Sequence, residues 1–433
     1  MSDNDELLAA EMAAISAVKS QEIVEAAASA AELNEYQNHL DDSLDRVLAV
    51  QETLRALKPH EVTPVLAATI DADLARAEVV IPVAEGATVV EGAECLGRSL
   101  MPKDYLFTRL AGCENFVTDF FKKSKDVAAH IAASFKSAYV IFTESRESLT
   151  KQLDLLEHSI STHKQFPGSG HITLGYRLFN QFQINGKVDQ NWSGNISKLS
   201  QTLAGLSSNY YLNNKNVTAA IFSYFGGFGK LDQHKAIERL KMLPISIPSA
   251  PFKECTYADN EHGKQNAVSK RSVELMGGAY FYDVRTTLKP AIAKDLHEVQ
   301  DWVTRFTSIN GTAFEAGRNP DRQVGNEVKA LSAQEIKQVV SLLRKLLNDW
   351  SQIFDKGDKY LISDHDFLGA IRGFMESDLD NGTKNTLSKH YHALVIKHQV
   401  ELLHIRAAVS HYVTLIINGM IHVCKDSIKV GVE

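Results

Sequence analysis

Histidines near the C-terminal end are the first residues whose type suggests chemistry, because imidazole is a common metal ligand and titrates near neutral pH. His404, His411 and His422 are separated by 7 and 11 residues. At about 100° per residue they share one helix face, but they lie two or three turns apart. Zinc-binding helices instead place their ligands four residues apart. The spacing therefore favours a polar seam against another helix or subunit.

Two further stretches bear on phosphate and metal binding. YFGGFGKLD (224–232) contains a Gly-Lys pair, but it lacks the first glycine of a phosphate loop and the hydroxyl residue after the lysine. In SDHDF (363–367) the adjacent donors point in different directions from a helix start, so a capping role is favoured. No CxxC pair, hydrolase elbow, dinucleotide-binding glycine pattern or kinase signature occurs. We therefore predict no catalytic residues, no metal site and no cofactor.

Lysines interleaved with aromatic residues suggest phosphate contacts. Lys122, Lys123, Lys125 and Lys136 lie in the strings FFKKSKD and FKSAY. Basic side chains with aromatic neighbours are typical of surfaces that bind nucleic acids. The alternative is a solvated helix face on which lysine stems cover apolar neighbours. Both interpretations stay open.

The elements that carry these residues are predicted to be mainly helical. Residues 4–57 contain no Pro or Gly and are rich in Ala, Leu and Glu, which favours helix. Apolar residues at steps of three, four or seven predict an amphipathic helix over 104–165. Residues 332–428 are predicted to be helical, and Ser332 with Glu335 fits a capping box.

Other segments carry different signals. Residues 60–98 contain Val, Thr, Pro and Gly with poor helical periodicity, which predicts an extended, loop-like segment open to proteases. Within 166–328 an Asn185-Gly186 pair predicts a hairpin turn, and GGAYFYDVRTTL predicts a strand.

The predicted fold class is mainly α, with long amphipathic helices and a small α+β middle segment. We divide the chain into four parts by these patterns: an acidic helical and extended segment, an amphipathic Lys/Phe-rich helical segment, a mixed α+β segment and a C-terminal helical segment. Their boundaries are 1–94, 95–165, 166–328 and 329–433.

Charge is unevenly distributed along the chain, whose net charge is −7. Residues 1–94 hold 19 of the 53 acidic residues and 5 of the 46 Lys and Arg residues, a balance of −14, which leaves +7 for residues 95–433. Such asymmetry is typical of a segment with its own task or of a nucleic-acid partner.

Four cysteines lie far apart, which favours reduced thiols in a cytosol. We recognise no secretory signal and expect no segment that spans a bilayer.

The organisation of the chain resembles that of the internal head (inner capsid) proteins of very large tailed bacteriophages. The resemblance is carried by the acidic Ala/Glu-rich N-terminus, the string GRSLMP (97–102) and the Lys/Phe helix with ESRESLTKQLDLLE (144–157). It covers the first 160 residues best. It implies a virion structural protein, not an enzyme, packaged inside the phage head after assembly in the bacterial host cytoplasm.

The resemblance also implies that the N-terminal segment is a propeptide, removed by the phage maturation protease after a small-x-Glu sequence. The leading candidate cleavage site is Gly92-Ala93-Glu94 before Cys95. It lies in the predicted loop-like segment, at the point where the charge changes sign. Weaker candidates are the triplets that end at Glu11, Glu22 and Glu32.

The expected partners are other phage head or core proteins, the maturation protease and, through non-specific contacts, DNA; no membrane is expected. The mature basic part is expected to lie close to packaged DNA and could be ejected with it. Two alternatives stay open. One is a helical scaffold, assembly or interaction protein that is not processed. The other is an enzyme of unrecognised type, built from scattered residues.

Overall fold

The computed structural model describes residues 3–79, 102–162, 170–206, 253–255, 267–286, 311–315, 326–355 and 381–432, with a few more between 231 and 238. Of the described residues, 83% are helical. This confirms the predicted class, mainly α with long helices and a few small strands.

Four long helices form most of the described structure. They are α1 (Asp3–Ala56), α3 (Pro102–Thr162), α6 (Ala333–Asp355) and α7 (Asn381–Val432). Shorter helices are α2 (Pro64–Arg76), α4 (Tyr176–Phe182) and α5 (Trp192–Gly205). With 61 residues, α3 is about 90 Å long.

The helix α2 corrects one prediction, because the sequence pattern of residues 60–98 predicts an extended segment. Thr63 caps the helix by accepting a hydrogen bond from the Leu66 amide at 3.2 Å, and Pro64 occupies the first helical position. The Thr-Pro pair is therefore a helix start, and burial of Ile70 and Leu74 stabilises the helix. Residues 80–98 lie outside the described residues.

Small antiparallel sheets complete the middle of the chain. Strand β1 (His171–Leu174) pairs with β8 (Asn326–Lys329), and β2 (Gln183–Ile184) forms a hairpin with β3 (Lys187–Val188). The third group is a meander in the order β4-β5-β6-β7. Its strands are Lys253–Cys255, Ala267–Arg271, Tyr280–Thr286 and Gly311–Glu315.

Local signals in the sequence match this part of the structure. The β2–β3 turn has positive φ at Asn185 (51°) and Gly186 (74°), as the Asn-Gly pair predicts. The GGAYFYDVRTTL stretch contains β6. At the start of α6 the Ser332 amide donates to Glu335 Oε2 at 2.8 Å, and the Glu335 amide donates to Ser332 Oγ at 3.3 Å. The predicted capping box is therefore present.

One apolar core joins elements from distant parts of the chain. Ile23 of α1, Ile131 of α3 and Val409 of α7 belong to the same buried cluster, together with the inner faces of α5 and α6. Trp350 of α6 is fully buried in it, and its Nε1 donates to Ser410 Oγ of α7 at 3.2 Å. The four segment boundaries stay predictions, and this core extends across them.

The apolar stretch in α7 is the one described helix that could span a membrane. Leu402–Gly431 is long and apolar enough by length and composition, although the sequence pattern, broken by Asn418, Gly419 and His422, predicts no such span. In the fold, 72% of an apolar 18-residue stretch within this helix is buried inside the protein. Burial of that extent is typical of a core helix.

Candidate functional site

The contact between the acidic N-terminal helices and the rest of the protein is the candidate functional site. Helix α1 runs antiparallel to α3 and also packs on α7. Lys19 Nζ lies 3.1 Å from Glu144 Oε2, Gln37 Nε2 donates to Ser124 Oγ at 3.0 Å, and Arg55 lies 3.9 Å from Glu114. We call this surface, formed by α1 and α2 against α3 and α7, the docking interface.

A buried ion pair holds α2 in the docking interface. Arg109 of α3 binds Asp71 of α2 at two points, Nε to Oδ1 at 3.0 Å and NH2 to Oδ2 at 3.1 Å. The Arg109 side chain is 1% exposed and that of Asp71 is 22% exposed. The two parallel N–H groups of the guanidinium match the two oxygens of the carboxylate. The pair therefore fixes the orientation of α2 on α3 as well as neutralising both charges.

Tyr105 completes this group, which we call the Arg109 clasp (Arg109, Asp71 and Tyr105). The Tyr105 hydroxyl lies 3.0 Å from both Asp71 Oδ1 and the Ala67 carbonyl oxygen, and the Arg109 guanidinium lies 4.4 Å from the Tyr105 ring centroid. Burial, followed by the Asp71 charge, raises the pKa of Tyr105 above its ordinary value. The phenol therefore stays protonated and acts as a hydrogen-bond donor.

The predicted phosphate-contacting lysines lie on α3 beside this interface. Lys122, Lys123 and Lys136 are exposed and Lys125 is half-buried. Ser124, inside the run, is buried under α1 and bonded to it. Lys136 lies about 17 Å beyond Lys125 along the helix and on nearly the same side. At 100° per residue Lys123 projects about 160° away from Lys125 around the helix, so the four lysines, which we call the lysine strip, extend along α3 on more than one side. A role in phosphate binding stays a prediction.

An acidic side chain of α1 approaches the same region. Asp41 is 4% exposed, and its Oδ1 accepts a hydrogen bond from Gln37 Nε2 at 2.9 Å. Since Gln37 Nε2 also bonds Ser124, this carboxylate lies close to the lysine run. The fold thus brings the two oppositely charged parts of the chain together.

The candidate cleavage sites differ in their positions. Gly92-Ala93-Glu94-Cys95 lies outside the described residues, between the ends of α2 and α3. Glu11, Glu22 and Glu32 all lie within the continuous helix α1. Glu22 also pairs with Lys19 at 3.1 Å. Proteolytic nicking concentrates in exposed loops, so these three would require local unwinding of α1. All four sites stay predictions.

One polar group outside the interface has the composition of a catalytic site. Ser200 of α5 donates its hydroxyl proton to Asp349 of α6, and Lys345 Nζ lies 2.5 Å from Ser200 Oγ and 2.8 Å from Asp349 Oδ2. A nucleophilic serine needs a neutral base and an open approach. Here the lysine is ion-paired and the serine is buried, so the group functions as a polar link between α5 and α6.

The histidines of α7 differ in their exposure, and the polar seam that their spacing predicts stays a prediction. His404 and His422 are exposed and His411 is half-buried. Burial, followed by the Arg177 charge, lowers the pKa of His411. Across the part of the chain that the structure describes, no cluster of three or more His, Cys, Asp or Glu side chains could hold a metal ion. The stretches 224–230 and 363–367 lie outside that part.

Sequence reasoning did not find the Arg109 clasp or the Ser200 group. Asp71 and Arg109 are 38 residues apart and Ser200 and Asp349 are 149 apart, so no local spacing connects them. The lysine run was found because its residues are adjacent in sequence.

Comparison with known proteins covers most of this arrangement. A family model of phiKZ-like phage internal head proteins matches residues 19–426. No curated protein matches the chain, and no solved structure does. The matched span begins inside α1 and ends inside α7, so it includes both sides of the docking interface from residue 19 onward.

Proposed function

This chain belongs to the family of phiKZ-like phage internal head proteins, and on that basis we propose that it is made as a precursor that loses its acidic N-terminal segment inside the head. Since members of the family are internal head proteins, the role of this chain lies in the interior of the phage head. The finer statements, on processing and on contact with DNA, are our proposal. The assembly of this protein with other head or core proteins in the bacterial host cytoplasm is also part of our proposal.

The position of the charge change carries the proposal. A cut after Glu94 would separate a part with a balance of −14 from a part with a balance of +7. It would fall between Arg76, the last residue of α2, and Pro102, the first residue of α3. A cut at this position would interrupt none of the described helices. Cuts at the weaker candidate sites would interrupt α1.

Contact with packaged DNA is the second part of the proposal. Exposed Lys122, Lys123 and Lys136, with half-buried Lys125, support it. Lysines bind the phosphate backbone without reading bases, and release of counterions makes such binding sensitive to salt. A balance of +7 over residues 95–433 supports weak, non-specific contact. The same contact would allow the mature protein to leave the head with the DNA.

We further propose that the protein is structural and has no catalytic activity. Membership of a structural family supports this, as does the internal bonding of Ser200, Lys345 and Asp349.

A second candidate function is an unprocessed helical scaffold or assembly protein. One observation favours it: Ile23, Ala27 and Ala30 of α1 are part of the main apolar core. A segment that contributes to the core of the final structure is expected to stay with it. The two candidates differ in the N-terminus of the protein in the mature particle.

The deciding experiment is the intact mass and N-terminal sequence of this protein from mature particles. A start at Cys95 supports processing at Glu94. A start at Met1 or Ser2 contradicts processing and favours the scaffold. Glu94→Gln is expected to block the cut, whereas Glu91→Gln is the matched control, because Glu91 lies three residues away and follows two valines.

A further inference from the structure

The N-terminal helices are attached to the rest of the protein by an extended buried surface. Apolar side chains along one side of α1 are buried against α3, α7 and α2. They are Ile23, Ala27, Ala30, Leu40, Leu44, Val47, Val50 and Leu54. Leu40 and Leu44 form a cluster with Phe120 of α3. The buried residues extend from 23 to 54, about 46 Å along the helix, and an apolar core of this kind is what holds stable interfaces together.

The far end of this surface is held by α2. Val47, Val50 and Leu54 of α1 pack with Ile70 and Leu74 of α2 in one cluster, which also includes Tyr105 and Cys113 of α3. The Arg109 clasp lies at the same place and joins α2 to α3 through a two-point ion pair. Helices α1 and α2 therefore contact α3 as one unit.

We propose that residues 3–79 stay bound to residues 102–432 as a separate polypeptide when the chain is cut between α2 and α3. Cleavage and loss of the acidic segment are then two distinct events. Whether such a cut occurs in the phage head depends on the proposed processing. The binding between the two fragments can be tested with any cut between residues 80 and 101.

The physical reason is that such a cut falls outside every helix that forms the docking interface. It replaces an intramolecular association, with an effective concentration on the order of millimolar for a short linker, by an ordinary bimolecular one. The apolar face of α1, the Gln37–Ser124 hydrogen bond and the Arg109 clasp all remain. The two fragments are expected to stay together at micromolar concentration.

The proposal changes what processing does to the charge. A cut chain whose fragments stay together keeps the net charge of −7. The lysine strip then remains beside the acidic helix α1. Exposure of the mature, basic part then requires a second step that separates α1 and α2 from α3 and α7.

The test uses the full chain with the recognition sequence of a specific protease inserted between residues 80 and 101. After complete cleavage, the protein is analysed by size-exclusion chromatography with light scattering and by native mass spectrometry. We expect a single species near the 47.9 kDa of the intact chain, containing both fragments. Two separate species at low micromolar concentration would overturn the proposal.

Substitutions in the clasp make the test specific. Asp71→Ala in the cut protein is expected to weaken fragment association by about 10- to 100-fold, because it leaves the buried Arg109 without its partner. Asp73→Ala is the matched control, since Asp73 lies on the same helix and pairs only with Arg76 of α2 among the described salt bridges. Equal affinity of both variants would contradict a role for the clasp. Circular dichroism of each uncut variant verifies folding beforehand.

The outcomes separate this inference from the proposed processing. If particles contain a chain that starts at Met1 but the cut protein stays together, processing is wrong and the docking holds. If particles contain a chain that starts at Cys95 and the fragments separate on cutting, the docking is wrong and processing holds.

Discussion

The indole of Trp350 and the ring of Phe142 meet edge to face, with ring centroids 4.7 Å apart and an interplanar angle of 86°. This contact joins α6 to α3, and the bond from Trp350 Nε1 to Ser410 Oγ extends the link to α7. Edge-to-face pairs add stability beyond the burial of their area. Three long helices therefore meet at one residue, which makes this position a sensitive test of the core.

Ser410→Ala is expected to lower the free energy of unfolding by about 1–3 kcal/mol, because it removes a buried hydrogen-bond acceptor from the Trp350 indole. Urea unfolding, followed by tryptophan fluorescence, measures the change. Ser134→Ala is the control, since the Ser134 hydroxyl bonds within α3 at an exposed site. Its effect is expected to stay within about 0.5 kcal/mol. Equal effects would argue against a special role for the Trp350 bond.

Arg109→Gln is expected to cost about 2 kcal/mol of folding stability, because it leaves the partly buried Asp71 carboxylate without its cation. The solvent exposure of Asp71 keeps the value below that of a fully buried pair. Thermal unfolding measures it, with Arg76→Gln at an exposed pair of α2 as the control. The double variant Asp71→Asn with Arg109→Gln is expected to be less unstable than the sum of the single changes. Additive effects would show that the two side chains do not interact.

Acid is expected to destabilise the protein through His411. Burial and the Arg177 charge lower the pKa of His411 in the folded state, so the unfolded state binds its proton more readily. The associated stability is fully present above the ordinary histidine pKa of about 6.5 and is lost as the pH falls through the lower folded value. His411→Gln is expected to show a smaller fall in Tm as the pH decreases through this range. His422→Gln, at an exposed site, is the control. If Tm falls with pH as steeply in both variants as in the unsubstituted protein, the assignment to His411 is wrong.

Substitution of the lysine strip is expected to weaken DNA binding by the mature protein isolated from particles. When Lys122, Lys123 and Lys125 are changed together to Gln, the slope of log K against log salt should fall by about 0.9 for each phosphate that the variant no longer binds. The matched control changes three other exposed lysines to Gln: Lys151, Lys187 and Lys198. Fluorescence anisotropy with a labelled duplex measures both.

Two results would count against this assignment of the lysine strip. Equally weakened binding in the strip variant and its control would indicate that net charge alone governs DNA binding. Equal binding by the precursor and the mature form would contradict masking by the acidic segment.

Periodicity in the sequence predicted the long helices because each buries one continuous stripe. The residues at steps of three and four in α3, such as Leu149 and Leu153, are buried as that pattern requires. Short-range chemistry was equally informative, since the Asn185-Gly186 turn and the Ser332–Glu335 cap depend only on neighbouring residues. Helix α2 was not predicted, although its Ala and Leu residues and the Thr63-Pro64 start favour helix, because the Val-, Pro- and Gly-rich stretch that follows it dominates the pattern of residues 60–98.

The candidate site was only partly predictable for a different reason. The sequence indicated two segments of opposite charge and a run of lysines, but not that α1 and α2 dock on α3. Docking depends on pairs such as Asp71 with Arg109 and Gln37 with Ser124, which are 38 and 87 residues apart. No rule of spacing within a single sequence brings such residues together.

The small side chains in the first half of α1 have an evolutionary consequence. Ala27 and Ala30 are 2% and 0% exposed in the main core, so a larger side chain at either position would have to displace its neighbours. Glu32 and Glu35 are exposed on the same helix. The packing therefore restricts these two positions to small residues, whereas exposed positions carry no such steric restriction. In divergent relatives we expect the amino acids at exposed positions of the N-terminal helix to vary widely, and those at the positions of Ala27 and Ala30 to stay small.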